Sequence, residues 1–177
     1  MTSGKGRKKT SEARRRRTAA RLAAVQALYE MDLAGVGADP VLGDFMSDRW
    51  RNAGAEDGQP ELVEPDAGLL AELVRGVAGR MADLDGMIAG ALAADLSLDR
   101  LQAVLRAVLR AGTYELLARP DTHAKVVIDD YMDVAKAFFL GPESSLVNAV
   151  LDRLARVLRP AEMEGSGGGG RDDGKAG

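Results

Sequence analysis

The side chains best equipped for chemistry in this sequence are cationic. Arg14, Arg15, Arg16 and Arg17 form one run, and Arg21 follows four residues later. A guanidinium is always charged, grips phosphate with a planar fork of donors, and stacks on nucleobases. On a helix Arg14, Arg17 and Arg21 share one face, so the run reads as an arm that tracks a strand of RNA through its phosphates. The competing readings are a solvated, disordered basic tail and a dock for an acidic protein. Carboxylates cluster elsewhere: Asp129, Asp130 and Asp133 lie within about one helical turn, with Lys136 three residues beyond Asp133. That spacing gives a solvated face with an i,i+3 ion pair; a divalent-cation site would need ligands from another helix, and none is identifiable. His123, the single histidine, stands near Pro120 at an expected helix start, exposed and with no partner for general-base work. The chain has no cysteine, which excludes disulfides, thiolate zinc sites and thiol nucleophiles together. Phosphate-loop, dinucleotide-binding, zinc-protease and serine-hydrolase motifs are all missing. No catalytic residue, metal site or cofactor is assigned.

Helices must position these groups, because aliphatic residues recur with helical spacing throughout. A first helix is expected from Ser11 to Gly35, with Leu22, Val25, Leu28 and Tyr29 on its apolar stripe. The stripe begins only at Leu22, so the arginine turns overhang the core. Further helices are expected over Pro40–Arg51 (Phe45, Trp50), Asp66–Gly79, Met81–Leu92, from a Ser97 cap through Leu116, from Asp121 or Thr122 to Phe138, and over Val147–Val157 up to Pro160. Residues 52–65 read as a loop. The result is an all-α fold of about seven helices. Residues 1–10 are expected to be a disordered basic N-terminus, 11–160 the helical domain, and 161–177 a flexible glycine-rich tail. The seven aromatics lie mostly on apolar stripes and default to packing, with Tyr29 the exception because its helix face also carries the arginines.

With 177 residues, 46% of them hydrophobic, the chain can bury a core of its own. No stretch suits a membrane span or a secretory signal, so a cytoplasmic protein is expected. The net charge of -3 hides an asymmetry: residues 1–22 hold nine of the 24 basic side chains and one acid, leaving 15 basic against 26 acidic residues. A basic head on an acidic body implies a polyanionic partner for the head alone.

Five stretches in order, RRRRTAARLAAVQALYEMDLAG, LVRGVAGRMADLDGMI, LQAVLRAVLRAGTYELLARPD, KVVIDDYMDVAKAFF and LVNAVLDRLARVLRP, resemble the NusB family of bacterial transcription antitermination factors, most closely its alphaproteobacterial branch. The resemblance runs from about Arg14 to Pro160. It implies two packed helical subdomains without catalytic activity. It also implies binding of the boxA element of ribosomal RNA leader transcripts together with a small-subunit ribosomal protein (NusE), within an assembly of RNA polymerase and other Nus factors. Carried onto this sequence, the family's RNA-contacting arm is Arg14, Arg15, Arg16, Arg17 and Arg21. Its Q-A-L-Y element places Tyr29 at a position associated with partner and RNA binding. Lys125 stands for the lysine of K-V-x-I-N-E, and Leu146 to Ala149 for the F-V-N-G turn near RNA, with Asn148 retained.

Four departures accompany the resemblance. Leu146 removes a ring that could stack on a base, an interaction worth about 1–3 kcal/mol. Ala149 replaces a glycine, Asp129-Asp130 replaces Asn-Glu, and His123-Ala124 replaces Val-Pro, costing a helix start its proline. The alternatives are therefore a diverged helical adaptor for proteins, or an accessory rRNA-modification module, with weak or non-specific RNA binding.

Overall fold

Alanine lines the inward side of the first helix, and that decides what can pack on it. In the computed structural model, which describes residues 3–47 and 63–164, helix α1 runs Ser3–Ala34. Ala20, Ala23, Ala24 and Ala27 are fully buried on it, three and four residues apart and therefore on one smooth face. Helices α2 (Ala38–Ser47) and α3 (Ala67–Gly79) close on that face through Val41, Leu42, Phe45, Leu69, Leu73 and Val74. On the adjoining side of α1, Val25 and Leu28 enter a second, larger core. Helices α4 (Met81–Ala91), α5 (Ala103–Ala118), α6 (Ala124–Phe138), α7 (Glu143–Leu158) and the short α8 (Pro160–Glu164) build the rest of it. The fold is all-α, with α1 as the wall shared by two subdomains and no strand among the described residues.

The centre of the larger core is α5, which packs on α1, α3, α4, α6 and α7. Leu105 through Leu116 are buried on nearly every side, with Ala107, Val108, Leu109, Ala111, Gly112 and Thr113 enclosed and the buried charges of Arg110 and Glu115 met by Asp85 and Arg21. The buried Thr113 hydroxyl is satisfied by the Leu109 carbonyl, 2.7 Å away. Gly112 has a packing reason: a β-carbon there would lie 2.8 Å from Leu151 Cδ1 and 3.3 Å from Tyr131 Cγ, so its absence lets α6 and α7 approach. Gly76 similarly makes room for the Tyr114 ring where α3 meets α5.

Element boundaries follow local chemistry. Gly35 ends α1 with φ 63 and donates to the Met31 carbonyl at 3.0 Å, a left-handed residue after the helix that glycine adopts without steric cost. Asp66 caps α3, its Oδ1 accepting from Leu69 N at 3.0 Å. Several boundaries differ from expectation. The first helix starts at Ser3 rather than Ser11, so residues 3–10 continue it; Arg and Lys are good helix formers. Ser97 makes no side-chain cap; a 3₁₀ turn, Leu98–Arg100, precedes α5. The sixth helix opens at Ala124, not at Asp121 or Thr122. Pro160 ends α7 but opens α8 as its first residue, where its missing N–H costs nothing. Trp50 and most of the 52–65 loop, together with residues 165–177 of the expected tail, lie outside the described residues.

Candidate nucleic-acid interface

Consecutive residues on an α-helix point about 100° apart, so Arg14 to Arg17 cannot all face one strand. The structure sends them in different directions. Arg14 and Arg15 line a groove of about 930 Å³ between α1, the end of α2, Val63 and the end of α6. Its lining is apolar at Leu22, Phe45, Ala137 and Phe138 and polar at Ser11, Thr18 and Gln26. Arg16 does not line the groove; its Nε donates to the Glu64 carbonyl at 3.3 Å and its own carbonyl accepts from Asp66 N at 3.0 Å. Arg17 is exposed and does not line the groove.

Arg21 leaves the exposed set altogether. It is 3% exposed, and its Nε and Nη2 donate to Glu115 Oε2 and Oε1 at 2.7 and 2.9 Å. Its Nη1 lies 3.1 Å from Asp130 Oδ2. The spacing of Arg14, Arg17 and Arg21 on one face is sound, but α1 meets the body at Ala20, so the face is solvent at one end and interior at the other. Burial works against the Arg21 charge; the hydrogen bonds and charge of Glu115 outweigh it, and the guanidinium holds its proton more firmly than in water. Burial also raises the Asp130 carboxyl above its ordinary value; Arg21 pulls it back, Glu115 pushes it further up, and Arg14 pulls it down. Tyr131, beside Glu115, is wholly buried, and its hydroxyl has no hydrogen-bond partner.

The remaining sequence-derived positions do not gather around this groove. Tyr29 is half-buried, on the stripe that continues from Thr18, Leu22 and Gln26, but beyond the groove. Leu146 is half-buried and packs on the larger core, and Asn148 is exposed, both on the first turns of α7. Helix α7 follows Phe138 after the turn at 139–142, so these two belong to the groove end of α6. Lys125 is at the other end of α6, thirteen residues before Phe138, or about 20 Å away along the axis. Asp129 and Asp133 are exposed, and Lys136 Nζ sits 3.7 Å from Asp133, the ion pair that their spacing predicts. Among the described residues no group of three or more His, Asp or Glu could hold a metal ion.

A second polar assembly, which sequence reasoning missed, ties the α5–α6 connection to the chain's far end. Arg159 donates to four carbonyls, those of Leu116, Thr122, Glu115 and Arg119, at 2.7, 2.5, 2.9 and 2.6 Å. Glu162 Oε2 accepts from Ala124 N at 2.6 Å, and His123 Nδ1 accepts from Lys125 N at 3.3 Å. A proline at 124 would have no N–H; alanine has one, and Glu162 satisfies it. His123 is thus the cap of α6. Groove residues Gln26 and Phe138 were also missed, since both sit on stripes whose default role is packing. The usable signal for Glu115 was its position, a lone acid flanked by Thr113, Tyr114 and Leu116 in a helix whose apolar residues recur on several sides.

The NusB family profile matches residues 18–156. The transcription antitermination protein NusB of Maricaulis maris is 48% identical over 149 residues, covering 84% of this chain and 91% of the relative. That of Rhodospirillum rubrum is 48% identical and covers 94% of this chain and 95% of its own. Among solved structures, T. maritima NusB superposes with a TM-score of 0.67 at 27% identity, over 84% of this chain and 96% of that one. A chain from the crystal structure of a plectonemic RNA supercoil shares the fold, with a TM-score of 0.64 at 23% identity over 80% of this chain and 94% of its own.

Proposed function

Because the chain belongs to the NusB family, we propose that it is an RNA-binding transcription antitermination factor whose α1–α6 groove takes boxA RNA of nascent rRNA leader transcripts. In this reading it binds the RNA together with a small-subunit ribosomal protein (NusE), and the pair joins RNA polymerase and the other Nus factors. One observation carries the reading: Arg14 and Arg15 line the same groove as the apolar Phe138 and Leu22. Guanidinium groups suit phosphates, and an aromatic ring beside them suits an unstacked base. Arg17 adds charge from outside the groove, the exposed Asn148 on the first turns of α7 would meet RNA that extends past it, and Arg21 serves by holding α1 in place. In this reading Tyr29, half-buried farther along the same helix face, would serve the protein partner.

A second reading, a diverged adaptor or accessory rRNA-modification module with weak RNA binding, draws on Leu146, which packs inward and offers no ring. Binding of labelled boxA RNA and a scrambled RNA, with and without the ribosomal protein, separates the two. The antitermination reading expects selective binding that tightens with the partner. Partner binding without RNA selectivity would favour the adaptor.

A further inference from the structure

Helix α1 projects from the body before it packs. Residues 6–17 are all exposed, and the first enclosed residue is Ala20. From Ser3 to Thr18 the only apolar side chain is the methyl of Ala13, so a partner of these turns is recruited by charge and not by hydrophobic contact. The α1 residues that line the groove, Ser11, Arg14, Arg15, Thr18, Leu22 and Gln26, recur at helical intervals and occupy one stripe. Seven residues before Arg14 and Arg15 stand Arg7 and Lys8. A step of seven turns the helix by only about 20° and moves about 10 Å along its axis. Arg7 and Lys8 therefore repeat the groove's cationic pair on the same stripe, beyond Ser11. Lys9 stands about 100° past Lys8 and off the stripe. Among the described residues neither the Arg7 nor the Lys8 side chain is ion-paired or hydrogen-bonded. The NusB profile begins at residue 18, and the family's RNA-contacting arm carries over only from Arg14.

Resting on the RNA-binding reading above, we infer that Arg7 and Lys8 form an outer phosphate site, continuous with the groove, for single-stranded RNA that runs on past the boxA segment. A strand laid along the stripe leaves Arg14 and Arg15 and meets a second cationic pair about 10 Å farther on. These contacts go to the backbone, so they lengthen the RNA that is held without adding base selectivity. An acidic protein surface would also be drawn to the overhang. The shared stripe favours RNA, because it aligns the outer pair with the groove and leaves Lys9 pointing elsewhere.

The test uses the full chain and fluorescently labelled boxA RNA, either alone or extended by a uridine tract at its 5′ or its 3′ end, across a range of salt. For the parent, extension at one of the two ends should tighten binding about threefold to tenfold at low salt. It should also steepen the slope of log K against log salt by about 1.4, the contribution of two phosphate contacts. Arg7→Gln/Lys8→Gln should remove both gains, yet at moderate salt leave the affinity for boxA alone within about twofold. Lys8→Gln by itself should remove about half of the added slope, whereas Lys9→Gln, the same change one residue on, should leave it in place. All three sites are exposed and glutamine is a good helix former, so the variants should keep the parent's helix content by circular dichroism. The inference is overturned if extension gains nothing at either end, the result expected if the overhang docks an acidic protein instead. A gain that survives the loss of Arg7 and Lys8, or one that Lys9→Gln reduces as much as Lys8→Gln does, would overturn it too. A parent chain that binds boxA no better than scrambled RNA overturns the RNA-binding reading itself, an outcome distinct from those three.

Discussion

Arg21 and Glu115 form the interaction on which single substitutions act most strongly. Removing one member of a buried ion pair leaves an uncompensated charge in the interior, which costs about 3–5 kcal/mol. Arg21→Ala should therefore lower unfolding stability by that amount in a denaturant titration, whereas Arg17→Ala, at an exposed site, should change it by less than about 0.5 kcal/mol. The Tyr131 hydroxyl is buried without a partner, so Tyr131→Phe should be nearly neutral. Glu162 makes a pH prediction. The Ala124 N–H lowers its carboxyl from the ordinary value of 4.5, against a smaller opposing effect of burial, with Arg159 assisting. A carboxyl lowered in the folded state adds stability above its unfolded value, and that stability is lost as pH falls through the lower folded value. In acid titrations from neutral pH to below 4.5, Glu162→Gln should flatten that part of the decline. At this scale the sequence was legible for residue type but not for direction. It put Arg14, Arg17 and Arg21 on one helix face; whether that face meets water or Glu115 depends on a contact 94 residues away.

Helices were legible wherever apolar residues recur, because periodicity reports the buried face directly. Starts and stops were legible only where one local residue decides them, as at Gly35 and Asp66. Where a partner from elsewhere completes the cap, they were not. Ala124 begins α6 with help from Glu162 on α8, and Arg159 holds the preceding turn through carbonyls of residues 115 to 122. Hydrogen bonds from a charged donor contribute about 1.5–3 kcal/mol net, so Arg159→Met should cost at least that much. It should also raise amide exchange at residues 119–127 before the rest of the protein loosens. The α5–α7 contact gives an overpacking prediction. Gly112→Ala sets a methyl 2.8 Å from Leu151, a conflict worth about 1–3 kcal/mol. Helix propensity returns up to about 1 kcal/mol, and thermal melts should show a net loss.

At the scale of the whole molecule, charge segregation and the groove act together. Residues 1–22, nine basic against one acidic, carry a basic excess that the other residues, 15 basic against 26 acidic, more than reverse, so a polyanion is attracted to one end and repelled elsewhere. The charge asymmetry was readable from composition, and the two-subdomain fold from five stretches in order. The groove was not, because its walls come from residues as far apart as Ser11 and Phe138, brought together only when α1 packs on α2 and α6. The four arginines, read as one phosphate-tracking run, separate into two that line the groove and two that do not. The salt dependence of boxA RNA binding by the parent and by an Arg14→Ala/Arg15→Ala variant tests this account most directly. Each phosphate contact on single-stranded RNA contributes a slope of about -0.7 to log K against log salt. The variant should bind more weakly, lose its preference over scrambled RNA, and show a slope shallower by about 1.4. Unchanged affinity and slope in the variant would contradict the account and place the RNA elsewhere on the molecule.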